Sequence, residues 1–272
     1  MLTVEHLQKS YISNGQSLEV LRDVSFQVEA GEFVTVVGPS GAGKTTLLRC
    51  LAGLLPRTSG KVMLTRTGKM IDSPPPEVAC VFQDYSRSLM PWSKVERNVA
   101  LPLENTIKDR RERRKVVADA LHEVGLDGFA DSYPWQLSGG MQQRVAIARA
   151  LAYKPEFLIM DEPFASVDAQ TRADLEDLTL RVRQDAGLTV MLVTHDIDEA
   201  VYLGDRVVVM SGRPTVVTEV IDVDLPRPRS QVKTKALPRF AELRTRVATL
   251  IAEASAASSS RAGGDAGSGQ AA

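Results

Sequence analysis

The run Gly38-Pro-Ser-Gly-Ala-Gly-Lys-Thr45 fits the pattern G-x-x-x-x-G-K-[ST], and its residue types describe a grip on phosphate. Glycines at 41 and 43 let successive backbone N–H groups turn toward one anion with no side chain in the way. Lys44 is placed to reach β and γ phosphates, and Thr45 to set its hydroxyl on Mg²⁺. A helix starting there aims the positive end of its dipole at the same charge. Gly38, Pro39, Ser40, Gly41, Ala42, Gly43, Lys44, Thr45 and Thr46 are therefore expected to line a nucleotide. The loop alone specifies a nucleoside triphosphate and nothing narrower, since kinases, small GTPases and helicases share it.

Two further groups choose among these. Phe157-Leu-Ile-Met160 runs into Asp161-Glu162-Pro163. An acid that ends a buried apolar strand lies at the carboxyl edge of a parallel sheet, where doubly wound folds bind ligands. Asp161 there suits Mg²⁺, directly or through water, and Glu162 suits the general base that polarises an attacking water. The second group is Leu137-Ser-Gly-Gly-Met-Gln-Gln-Arg144, ahead of an apolar helix from Val145 to Leu151. Ser138 can cap that helix, while Gly139 and Gly140 leave its first N–H groups exposed, which makes a second anion site.

The elements that must position these groups follow from periodicity. Leu2–Leu7 and Leu18–Val28 alternate as half-buried strands around the turn residues Ser13-Asn14-Gly15. Phe33–Val37, Val78–Phe82, Phe157–Met160 and Leu188–Val193 read as short buried strands, and Val207–Met210 with Val216–Val220 as a closing pair. Helices are expected at Lys44–Leu54 and Ala169–Ala186. From Met90 to Ala152 the period is helical, with an apolar stripe at Val116, Val117, Ala120, Leu121 and Val124. The basic run Lys108–Lys115 reads as a solvated helix face. Strand–helix alternation predicts an α/β fold with a mainly parallel sheet. Ala254–Ala272 is almost wholly Ala, Ser, Gly and Gln, and is expected to be a disordered tail.

Composition narrows the class. Of 272 residues, 43% are hydrophobic and 25% charged, an ordinary globular balance, and the formal net charge of −1 offers no overall argument for nucleic acid as a ligand. Cys50 and Cys80 lie in apolar stretches and read as buried free thiols, and His6, His122 and His195 are too scattered for a metal centre. No apolar run is long enough to cross a bilayer and the N-terminus lacks the layout of a secretion signal, so a soluble chain is expected, with any membrane role coming through a partner.

Leu137–Arg144, upstream of an acid-tipped strand and downstream of the phosphate loop, resembles one family, the ABC ATPases, over about residues 1 to 228. The resemblance implies an α/β P-loop NTPase core with an N-terminal antiparallel β subdomain and an inserted α-helical subdomain at about 88–152. A C-terminal helical extension is expected at 229–253, before the tail at 254–272. It also implies roles: Tyr11 stacks on adenine, Gln83 touches Mg²⁺ and the water, and His195 is a switch at the γ phosphate. Asp168, in Ser166-Val-Asp168, lies in a loop that crosses to the other subunit, although the family more often has leucine where Val167 stands. On this reading Glu162, His195 and Gln83 are catalytic, and Thr45, Gln83 and Asp161 hold Mg²⁺. Two copies pair head to tail, so that Ser138, Gly139, Gly140 and Gln142 serve the partner's ATP.

The implied partners are a second ATPase subunit, integral membrane permease subunits and, indirectly, a solute-binding protein, at the cytoplasmic face of the inner membrane and without nucleic acid. The segments Asp84-Tyr85 through Pro91-Trp92, Asp161 to Arg172, Thr194 to Ala200 and Leu225-Pro-Arg-Pro-Arg229 resemble the nitrate/sulfonate/taurine importer branch. The solute stays open, a thiamine-precursor pyrimidine included. A non-transport ABC ATPase is the other reading, against which stand the short separation from Lys44 to Ser138 and the absence of cysteine clusters.

Overall fold

The computed structural model describes residues 1–13, 15–84 and 88–264, so Asn14 and Tyr85 lie outside the described residues. The chain forms two compact units, one of Met1–Pro75 with the chain from Leu192 onward, the other of Pro76–Met191.

In the first unit, β1 (Leu2–Ser13) and β2 (Gln16–Val28) pair antiparallel, and with β4 (Ser59–Leu64) and β5 (Lys69–Met70) they form a sheet of order β2-β1-β4-β5. Val24, Phe26 and Val28 of β2 are buried, the period-two pattern of a sheet with one covered face. β3 (Phe33–Val37) is buried at all five positions and pairs parallel with β9 (Arg206–Met210), on which β10 (Val217–Asp222) lies antiparallel. Continuous β-branched burial is what a parallel strand covered on both faces requires. The helices of this unit are α1 (Lys44–Leu51), α6 (Ile197–Leu203) and α7 (Pro238–Gly264).

The second unit holds β6 (Val78–Val81) parallel to β7 (Phe157–Asp161), and the helices α2 (Val95–Ala100), α3 (Arg110–Glu123), α4 (Gly139–Ala152) and α5 (Ala169–Ala186). α4 buries Val145 through Ala148 and Ala150 through Ala152, so it is apolar nearly all round. β8 (Thr189–Val193), buried at every position, carries the chain from the second unit back into the first.

Three expectations need correction. α1 stops at Leu51 rather than Leu54, because Gly53 takes a left-handed φ of 70° and a Cβ there would lie 2.5 Å from the Ser73 carbonyl carbon. Of the tail expected at 254–272 to be disordered, residues 254–264 are helical, and 265–272 lie outside the described residues. Alanine is the strongest helix former, and Leu250 and Ala254 are buried, so a composition that reads as low complexity continues the helix. The strands β4 and β5 and the helix α6 lie in stretches whose short, mixed patterns had suggested no element.

Candidate active site

The first unit presents the phosphate loop between β3 and α1. Gly41 and Gly43 have φ of 74° and 83°, a region that side-chain-bearing residues rarely adopt. Gly43 is the residue before α1, and no side chain caps the helix, so the positive end of its dipole faces the loop. A Cβ on Gly43 would approach Val20 Cγ1 to 2.6 Å, and one on Gly38 would approach the Met210 carbonyl oxygen to 2.8 Å. The loop is therefore pressed against β2 and β9 through glycines. Thr215, between β9 and β10, donates its hydroxyl to the Ala42 carbonyl and braces the loop from behind. Nothing in the sequence signals Thr215, because its partner is remote along the chain.

Lys44 is buried and its ammonium donates to the carbonyls of Gly38 at 2.8 Å and Pro39 at 3.0 Å. The charge is thus held on the inside of the loop, where a phosphate would offer stronger, charge-assisted acceptors. Ser40, Gly41 and Thr45 are exposed. Tyr11 is 37% exposed, its hydroxyl 3.4 Å from Thr46 Oγ1 and its ring 5.1 Å from Lys9 Nζ. The ring is therefore anchored beside the start of α1.

His195 follows β8 and is exposed. Its neighbour Thr194 donates its backbone N–H to Val36 of β3 at 3.1 Å, which ties the histidine to the strand that feeds the loop. Thr194 Oγ1 donates to Glu199 at 3.0 Å and accepts from the Asp196 N–H at 2.9 Å. Asp196 in turn caps α6 by accepting from the Glu199 N–H at 3.1 Å.

In the second unit, Asp161 closes β7 and is buried, while Glu162 takes a left-handed φ of 45°. A left-handed glutamate costs on the order of 1–3 kcal/mol and turns the second carboxylate away from the line of the strand. Gln83, just after β6, donates its Nε2 to Glu162 Oε2 at 3.2 Å. The amide holds one oxygen of the Glu162 carboxylate. Burial, reinforced by Asp161, pushes the Cys80 thiol up to about 12, and burial pushes Cys50 to about 11, so both stay protonated and unreactive.

The glycine segment behaves differently from the loop. Ser138 caps α4, its Oγ accepting from the Met141 N–H at 3.3 Å. A Cβ on Gly140 would meet Thr171 Cγ2 at 2.3 Å, so this glycine seats α4 against the first turn of α5. Thr171 also donates to Asp168, from Oγ1 at 2.6 Å and from its N–H at 3.0 Å, which makes Asp168 the cap of α5. Those bonds hold the Asp168 carboxyl below its usual range. Thr171 thus joins the Gly140 and Asp168 regions, and sequence inspection missed it because a threonine in the first turn of a helix is commonplace. Gln142 Nε2 donates to the Leu137 carbonyl at 3.2 Å. Among the described residues no cluster of His, Cys, Asp and Glu could hold a metal by itself, and no helix is long and apolar enough to cross a membrane.

A glycine loop that grips phosphate, in an α/β chain that also carries an acid-tipped strand, defines a nucleotide-hydrolysing P-loop ATPase. The profile of the ABC transporter family matches residues 21–165. An uncharacterised ABC transporter ATP-binding protein of Methanocaldococcus jannaschii is 47% identical over 92% of this chain and 91% of its own length. The aliphatic sulfonates import ATP-binding protein SsuB of Bacillus cereus is 42% identical over 90% of this chain and 94% of its own. The nitrate import ATP-binding protein NrtC of Synechococcus elongatus is 41% identical over 92% of this chain, which spans only 38% of that longer protein. A solved dimeric ATP-binding cassette in a post-hydrolysis state, bound to ADP and Pi, superposes with a TM-score of 0.72 at 31% identity, over 82% of this chain and 99% of that one. The chain belongs to the ABC transporter family, as an ATP-binding and ATP-hydrolysing subunit.

Proposed function

We propose that the chain powers an importer for a small anion or sulfonate-type solute, as the peripheral ATPase on the cytoplasmic face of the membrane. The observation that carries this reading is the match to the sulfonate import subunit along nearly the full length of both chains. The nitrate import and bicarbonate transport ATP-binding proteins of Synechococcus elongatus, at 41% and 40% identity, support the same class of cargo. Importers of another small solute, such as a thiamine-precursor pyrimidine, are the second reading. A non-transport ABC ATPase is less well supported.

In this proposal Gly38 to Thr46 bind the triphosphate and Tyr11 stacks on adenine. Thr45, Gln83 and Asp161 offer oxygen ligands of the kind Mg²⁺ takes, with water and phosphate completing its shell. Glu162 is the general base, oriented by Gln83. His195 reads the γ phosphate, and Ser138, Gly139, Gly140, Gln142 and Asp168 act on the nucleotide of a second, head-to-tail subunit. Closure on ATP and reopening after hydrolysis would then move permease subunits between states.

The test is reconstitution of the chain with its permease in proteoliposomes, with a binding protein supplied outside. ATP-dependent uptake of radiolabelled taurine, an alkanesulfonate or nitrate, lost with Glu162→Gln, is the expected result. Uptake of a pyrimidine alone would select the second reading, and an ATPase that couples to no permease would sink both.

A further inference from the structure

We infer that the chain from Arg229 through α7 is a brace that positions His195, with Arg229 and Arg244 as its positioning residues. The inference rests on His195 acting at the γ phosphate, as proposed above.

His195 is held from two sides. Upstream, β8 and the bond from the Thr194 N–H to Val36 fix it to the sheet. Downstream it runs directly into α6, which Asp196 caps. α6 has only 7 residues, and a helix that short does not persist in water without tertiary partners. Whatever holds α6 therefore sets where the histidine points.

The C-terminal chain grips α6 at both ends. At the far end, the Arg229 side chain is only 1% exposed, and its guanidinium donates to the carbonyls of Val201 and Tyr202. A cation on the last carbonyls of a helix completes bonds that the helix cannot make for itself and complements its dipole. Tyr202 is fully buried, and Lys235 places its ammonium 4.9 Å from the centre of the ring.

At the near end the brace crosses a gap. A cavity of about 590 Å³ is lined by His195, Asp196 and Asp198 on one wall and by Arg244, Thr245 and Thr249 of α7 on the other. Arg244 Nε and Asp198 Oδ1 meet across it at 2.5 Å. α7 is itself firmly seated. Phe240, Leu243, Val247, Leu250 and Ala254 are buried at helical spacing, and the helix packs on α6 and β9. A fixed helix thus carries Arg244 to the turn that follows His195. Arg246, on another flank of α7, pairs instead with Glu219 of β10 at 2.6 Å. The brace holds the histidine's helix and not the phosphate loop, so it acts on turnover and not on nucleotide affinity.

Steady-state ATP hydrolysis by the full chain tests this. The Arg244–Asp198 pair faces solvent, so Arg244→Ala should lower kcat only about two- to fivefold, with KM for ATP and the thermal midpoint near parent values. Arg244→Lys should recover most of the loss. Arg246→Ala removes a comparable pair from the same helix and should leave kcat unchanged. Arg229→Ala, corrected for folded protein by circular dichroism, should lose more turnover than Arg244→Ala. Added to His195→Ala, Arg244→Ala should cause no further loss, because it acts through that histidine. Parent turnover in Arg244→Ala or Arg229→Ala, an equal loss in Arg246→Ala, or an additive loss in the double variant would overturn the brace and leave the role of His195 standing. Parent turnover in His195→Ala would remove the histidine's role, and the brace with it.

Discussion

Two helix starts in this chain carry glycines, and they are built for opposite purposes. At α1 the glycines hold left-handed turns, no side chain caps the helix, and the buried Lys44 is turned inward. At α4 the glycines sit inside the helix, Ser138 occupies a first-turn N–H, and Gly140 is spent on close packing against Thr171. The first arrangement leaves the positive end of the helix dipole without a side-chain cap. The second carries a cap within its own unit. A phosphate site in a single chain is therefore intrinsic to the loop, while the glycine segment gains an anion only when something else brings one to it. Binding should belong to the first unit, and the step that consumes ATP should depend on the second.

The sharpest way to break that division is Glu162→Gln. The substitution keeps the hydrogen-bonding shape beside Gln83 but removes the base, so turnover should fall about 10²- to 10⁴-fold. Affinity for a fluorescent ATP analogue should stay near the parent value. Normal hydrolysis by this variant would mean that the base lies elsewhere. The next largest contrast compares alanine at the two glycines. Gly43→Ala forces a Cβ into a φ of 83° and against Val20, costing on the order of 1–3 kcal/mol and most of the nucleotide affinity. Gly140→Ala also meets a close neighbour, but it should leave ATP binding by the isolated chain unchanged. If the two variants lost nucleotide equally, the distinction drawn between the helix starts would fail.

How much of this was legible in the sequence differs between the two regions for a physical reason. The loop's function is local: Gly41, Gly43, Lys44 and Thr45 act within one turn of chain, and β3 and the start of α1 came from periodicity alone. Asp161 was equally readable, as an acid ending a buried strand. The second region's roles were not. Ser138 as a cap follows from its residue type, but the seat of Gly140 on Thr171 joins residues far apart in sequence, as does the bracing of Ala42 by Thr215 in the first region. Roles for Tyr11, Gln83 and His195 came only through family resemblance, since each is an ordinary residue near the end of a strand. The tail beyond Ala254 misled because alanine and serine suggest low complexity, while helix propensity and the burial of Ala254 decide otherwise.

A smaller effect separates stability from assembly at Ser138. Removing the cap in Ser138→Ala should cost about 0.5–2 kcal/mol of stability, measured by urea denaturation, with ATP binding by the isolated chain untouched. Ser138→Arg should also spare that binding but block ATP-driven dimerisation, because it places a long cation where the partner's nucleotide is proposed to lie. Dimerisation of the arginine variant at the parent level would remove the glycine segment from the composite site.

The smallest effect concerns the cap of α5, and its sign follows from linkage. The Thr171 hydroxyl and N–H hold the Asp168 carboxyl below its ordinary value in the folded chain. The ionised form is therefore favoured by folding, and its contribution is fully present above the unfolded carboxylate range. It is lost as pH falls through the folded value. Asp168→Asn keeps a competent helix cap without a titrating group, so at neutral pH the thermal midpoint should hardly move. Below about pH 4 the parent should lose stability more steeply than the variant, and added salt should shrink the gap because the site is exposed. Parallel midpoint curves from pH 7 to 3 would show that the Thr171 bonds contribute nothing specific to the charged form. In that case the coupling of Gly140 to Asp168 through Thr171 would rest on packing alone.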